Sequence, residues 1–107
     1  MSFIIVYVTH YNDSSARQIS DKLLSEKLIF CYNLFPIKSA YWWQETLQKD
    51  NEWVTILKTT QAHWDELQSR ITELHTYEVP CIIKIEVEAN EAYEKWINKN
   101  VKYGKTF

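Results

Sequence analysis

The stretch from Phe30 to Thr60, FCYNLFPIKSAYWWQETLQKDNEWVTILKTT, constrains the fold of this chain more than any other. It reads as two strands folded back on each other, one over residues 30–44 and one over 52–60. The polar segment Leu47-Gln48-Lys49-Asp50-Asn51 between them has Asp-Asn turn chemistry and is the expected reversal. The first strand far exceeds the usual length of about 5–6 residues. Side chains alternate across a strand, and here both faces are apolar. Cys31, Phe35, Ile37, Tyr41 and Trp43 share one face; Phe30, Tyr32, Leu34, Ala40 and Trp42 share the other. A small domain has one core and covers one face with it. The second face and the overhanging tip therefore require a partner.

The remaining segments supply that core. Residues 3–9, FIIVYVT, are apolar on both faces, as suits a central strand. Asp13 or Ser14 can cap a helix whose apolar positions Ala16, Ile19, Leu23 and Leu24 recur at helical spacing through Lys27. After the hairpin, Thr59 or Thr60 can cap a second helix with the stripe Trp64, Leu67, Ile71 and Leu74, ending near His75; Pro80 closes the connection. Residues 81–88 form a strand, and Asn90 can cap a last short helix carrying Tyr93, Trp96 and Ile97. Residues 102–107 read as a frayed polar tail. The order is β-α-β-β-α-β plus a helix. It predicts one α+β domain over residues 1–107, a ferredoxin-like sandwich with an extra C-terminal helix, its second and fourth strands at the sheet edges.

Composition excludes several functions. A net charge of -2 offers no electrostatic case for nucleic acid or an anionic membrane surface. An RNA-recognition module shares this element order, but the Lys/Arg-Gly-aromatic signature is missing. No apolar run approaches the roughly 18 residues that span a bilayer, and the N-terminus lacks the pattern of a signal peptide. The single glycine, Gly104, rules out the glycine-rich loops that cradle phosphates. Two cysteines, Cys31 and Cys81, do not make a disulfide framework, so a reduced, cytoplasmic protein is expected.

Cys31-Tyr32-Asn33, Ser39-x-Tyr41-Trp42-Trp43, Glu52, Leu57-Lys58-Thr59, His75-x-Tyr77-x-x-Pro80 and Tyr93-x-x-Trp96-Ile97 follow one another in a spacing that resembles the CutA family of divalent-ion tolerance proteins. The resemblance runs from about Ile4 to Asn98. It implies the same ferredoxin-like fold, assembled as a homotrimer whose long hairpins pair between subunits, and a role in metal-ion tolerance. Tyr41, Trp42, Trp43 and Trp53 are then expected at the trimer interface. Thr76 replaces a proline of the family's pattern, Cys81 a glutamate, and Glu45-Thr46 a glycine and lysine.

The candidate chemistry is sparse. Cys31 matches a cysteine associated with copper in the family, and a thiolate suits Cu(I). The same residue in an apolar strand is equally a small hydrophobe. Cys81 and His75 are the other soft or borderline ligands in reach of a metal, with copper or another divalent cation as the ion and no cofactor required for folding. His75 is also readable as a residue capping the last carbonyls of its helix; His63 is expected on a solvent face. Glu52 and Lys58 project from one strand face and, with His75 and Tyr77, are expected to form a polar cleft between subunits. A second reading makes the chain a signalling module resembling the PII proteins, taking a small anion in that cleft. No nucleophile–base–acid set is visible, so an enzyme is not expected.

Overall fold

The computed structural model describes residues 3–100. The elements are β1 (Phe3–His10), α1 (Asp13–Ser25), β2 (Cys31–Trp43), β3 (Thr46–Thr59), a 3-10 turn (Gln61–His63), α2 (Trp64–Leu74), β4 (Ile82–Val87) and α3 (Glu91–Asn100). The sheet is antiparallel, in the order β2-β3-β1-β4. This is the ferredoxin-like α+β arrangement, with the second and fourth strands at the edges as the element order requires. The tail expected over residues 102–107 lies outside the described residues.

The hairpin is longer than its sequence suggests. It reverses at Gln44 and Glu45, with φ of 50° and 64°, not at residues 47–51. Positive φ at both central residues is the geometry of the tight turn whose twist matches that of the strands it joins. Residues 47–51 continue the ladder, Leu47 opposite Trp42 and Asn51 opposite Lys38. They are polar because this part of the ribbon overhangs the domain. Thirteen residues of β2 at about 3.4 Å each account for the 46 Å long axis, against 26 and 22 Å for the others.

Helices α1 and α2 cover one face of the sheet. Ile4, Val6 and Val8 of β1 and Leu57 of β3 meet Ile19 and Leu23 of α1 and Leu67 and Ile71 of α2, all buried. Burial of each side chain of this size is worth about 1.5–3 kcal/mol relative to exposure. The cap of α1 is Asn12, one residue before the expected Asp13: its side chain accepts from Ser15 N at 2.7 Å. At the other end Lys27 takes φ 62°, with Leu28 N bonded to Leu23 O and Lys27 N to Leu24 O. Those two bonds complete a Schellman motif. His63 is buried, not solvent-facing; its Nδ1 lies 2.9 Å from Thr60 Oγ1 at the entry to α2.

The opposite face is covered only in part. Helix α3 closes one end, packing Ile97 and Tyr93 on Phe3, Ile5, Phe30 and Val87, with Trp96 edge-on to Phe30 at 4.3 Å. Beyond it the face is open. Phe35, Ile83 and Ile85 are 40%, 48% and 45% exposed, and Tyr41 and Trp43 extend the apolar strip along the hairpin. The four aromatic residues expected at an interface do not share a face. Tyr41 and Trp43 lie on the open one; Trp42 and Trp53 lie on the helix side, because the register sets Trp42 beside Leu47 and Trp53 beside His10 and Pro36.

Candidate functional site

The open face carries two polar clusters, one at each end. The first lies where α3 meets the sheet. Cys31 begins β2 opposite Lys58 of β3, and Tyr93 of α3 reaches over both. Lys58 Nζ donates to Tyr93 Oη at 3.1 Å and sits 5.4 Å from the ring centre; Cys31 Sγ lies 3.9 Å from the same oxygen. The hydrogen bond to Tyr93, and then the nearby Cys31, hold the Lys58 ammonium above its usual range. Cys31 is half-buried.

The second cluster lies at the opposite end of the sheet, under the connection from α2 to β4. His75 ends α2, its N–H bonded to Ile71 O at 2.8 Å. Its ring lies between two backbone groups: Nε2 donates to Thr9 O at 2.7 Å, and Nδ1 accepts from Tyr77 N at 3.0 Å. A carbonyl only accepts and an amide N–H only donates, so this pair specifies the neutral Nε2–H tautomer. Burial holds the His75 pKa below its usual value, against the opposing pull of Thr9 O and Glu52. Tyr77 Oη then donates to Glu52 Oε2 at 2.5 Å. Glu52 is only 8% exposed, and this bond compensates part of its lost hydration. Burial, and then the Glu52 carboxylate, push the Tyr77 phenol far up.

Thr9, Glu52 and Tyr77, with Tyr7, Ile37, Tyr41 and Trp43, line a groove of about 780 Å³, and His75 is not among its lining residues. Its charged lining is Glu52 and Glu78 against Lys38. Glu52, His75 and Tyr77 are thus brought together, but Lys58 is not among them. Six residues along one strand separate it from Glu52 by about 20 Å. Within one chain Lys58 therefore lies outside this groove.

The expected metal ligands do not converge either. Cys31 lies on one edge strand, and Cys81 directly precedes the other. Three strand spacings, about 14 Å, lie between them, so one ion cannot take both thiols of a chain. Burial pushes the Cys81 thiol up, away from the thiolate that binds metal. His75 has both ring nitrogens occupied and no lone pair left for an ion. Among the described residues no three of His, Cys, Asp and Glu come together as a metal-holding group.

Two participants escaped the sequence reading. Tyr93 links Lys58 to Cys31 through a helix, a contact that no local spacing encodes. His10, at the end of β1, is buried and stacks on His75 with ring centres 5.1 Å apart. Burial, and then the neighbouring His75, lower its pKa to about 4.

The family model of the CutA1 divalent ion tolerance protein matches residues 4–100. The divalent-cation tolerance protein CutA of Pyrococcus horikoshii is 45% identical over 100 residues, covering 92% of this chain and 98% of that one. Its counterpart from Thermotoga maritima is 40% identical over 99 residues, at 92% and 98% coverage. The crystal structure of CutA1 from Pyrococcus horikoshii superposes with a TM-score of 0.90 at 44% identity, covering 94% of this chain and 99% of that one. CutA1 from Oryza sativa gives a TM-score of 0.91 at 33% identity, with 95% of each chain covered. Relatives are named chloroplastic in rice and periplasmic in Archaeoglobus fulgidus, so membership assigns no compartment. Among the described residues no helix is long and apolar enough to cross a membrane. On the match to nearly its whole length, on identity above 40% and on the shared fold, this chain belongs to the CutA1 divalent ion tolerance family.

Proposed function

We propose that this protein acts in divalent-cation tolerance as a cytoplasmic homotrimer without catalytic activity, and that copper meets it through Cys31. The observation that carries the assembly is the open sheet face. Phe35, Ile83 and Ile85 remain 40–48% exposed on it, and Tyr41 and Trp43 prolong it along a hairpin that overhangs the domain. A monomer gains nothing by exposing such a strip, whereas a copy of the same face buries it. Pairing between copies also removes the unpaired edges of β2 and β4. Sedimentation equilibrium at low micromolar concentration is expected to give the trimer mass; a folded monomer overturns the proposal.

The copper contact rests on Cys31 being a half-buried soft ligand on the edge strand. One thiol cannot close a coordination sphere, so binding is expected to be weak and folding independent of the metal. Anaerobic titration should show Cu(I) bound more tightly than Mg(II) or Ca(II), with the difference lost in Cys31→Ser. Equal copper binding by both proteins makes Cys31 a packing residue.

A further inference from the structure

Glu52 is a charged group left half-satisfied beside a cavity. It is only 8% exposed, yet its carboxylate takes a single hydrogen bond, donated by Tyr77 Oη to Oε2. Among the described residues no hydrogen bond or ion pair reaches its other oxygen, Oε1. Burying a carboxylate costs free energy unless hydrogen bonds and a counter-charge replace its water. Glu52 lines the groove of about 780 Å³, so there is room beside it for the partner that the chain does not supply.

The surroundings select that partner. Two carboxylates, Glu52 and Glu78, line the groove against one ammonium, Lys38. Lys38 stands opposite Asn51, one position on from the pairing of Ile37 with Glu52, so its side chain belongs to the other face of the ribbon. Lys58 shares the face of Glu52 but lies about 20 Å along the strand. A metal ion does not fit. Among the described residues no three of His, Cys, Asp and Glu gather to hold one, and hard divalent cations take about six or more oxygens. Tyr7, Ile37, Tyr41, Trp43 and Val79 line the same groove. Such a lining suits an apolar body, and aromatic rings also attract a cation.

We propose that the groove binds a protonated amine with an apolar body, its ammonium donating to Glu52 Oε1 and its body lying against Tyr7, Ile37 and Trp43. The ligand carries an N–H because a carboxylate oxygen only accepts, and a positive charge because Glu52 has no counter-ion in the chain. Cys31 lies at the other end of the sheet, so this site is separate from a copper contact there and stands without it. Where copies of the chain cover the open face, the groove becomes a cavity between them. The carboxylate that selects the ligand still comes from one chain.

The test is calorimetric titration of the full chain with phenethylamine near neutral pH, where an aliphatic amine of pKa about 10.4 is protonated. Saturable binding is expected, with a dissociation constant of about 1 mM or below. The resonances of the Glu52 carboxyl carbon and the Trp43 indole should shift in step with it. 2-Phenylethanol lacks the charge and phenylacetate reverses it, so each should bind about tenfold more weakly or not at all. Glu52→Gln keeps the shape of the side chain and an acceptor for Tyr77 but removes the charge. It should weaken phenethylamine by about 10- to 100-fold. Three results overturn the proposal. The first is no saturable binding of the amine, and the second is equal binding of 2-phenylethanol. The third is a Glu52→Gln variant that binds phenethylamine as before but associates more weakly with itself, which makes a cation of a neighbouring copy the partner of Glu52. If Glu52→Gln does not fold, the series of ligands and the Glu52 carbon shift in the unaltered protein still decide.

Discussion

Two tyrosine–carboxylate hydrogen bonds of equal length sit in this protein in different surroundings, and they separate geometry from burial. Tyr77 Oη reaches Glu52 and Tyr41 Oη reaches Asp50, each at 2.5 Å. Glu52 is 8% exposed at the groove, whereas Tyr41 is 40% exposed and Asp50 lies on the outer ribbon. A hydrogen bond to a charged group contributes about 1.5–3 kcal/mol, and its loss costs most where the abandoned partner cannot return to water. Tyr77 is itself half-buried, so Tyr77→Phe is expected to cost about 1.5 kcal/mol, near the low end of that range. At a urea dependence of roughly 1–3 kcal/mol per molar, the midpoint falls by about 0.5–1.5 M. Tyr41→Phe frees two groups that water solvates at once in a single chain, so at a protein concentration that dissociates the trimer its midpoint should not move measurably. Both variants are to be unfolded in urea at the same protein concentration, since association couples stability to concentration. The double variant Tyr77→Phe/Glu52→Gln should cost less than the sum of its parts. Equal midpoints for Tyr77→Phe and Tyr41→Phe refute the reasoning, because burial then decides nothing here.

Other outcomes follow from the same structure. Lys27→Gly should raise stability by up to about 1 kcal/mol, since Lys27 takes a left-handed conformation that glycine adopts freely; a loss of stability in thermal unfolding contradicts this. Glu45→Gly at the hairpin turn should act in the same direction, for the same reason. Thr59→Val removes the hydroxyl that donates to Leu28 O at 2.7 Å in a buried setting and should cost about 1–3 kcal/mol in denaturant unfolding. Leu57→Ala, at a fully buried core position, should cost about 2–5 kcal/mol in the same experiment.

Periodicity was sufficient for the elements and their order. Alternation and helical spacing depend on which residues repeat along the chain, and that is local information. The two-sided hairpin announced in the same way that one face lacks a cover, and the groove residues Glu52 and Tyr77, with His75 bonded to the Tyr77 amide, stand in motifs that resemble the family's. What the chain alone left undecided depended on register and long-range contact. The hairpin reverses at Gln44-Glu45 because the strands pair Trp43 with Thr46, and residues 47–51 remain strand because each pairs with a residue of β2. Lys58 and Glu52 share a face by parity, yet a rise of about 3.4 Å per residue puts them at opposite ends of the sheet. Tyr93 joins Lys58 and Cys31 only because α3 folds back over the strand ends. Cys31 and Cys81 are separated because the strand order sends β2 and β4 to opposite edges. The pairing of His10 with His75 spans 65 positions, and no pattern along the chain encodes it. Sequence determined which side chains were available; the crossing of strands and helices decided which of them meet.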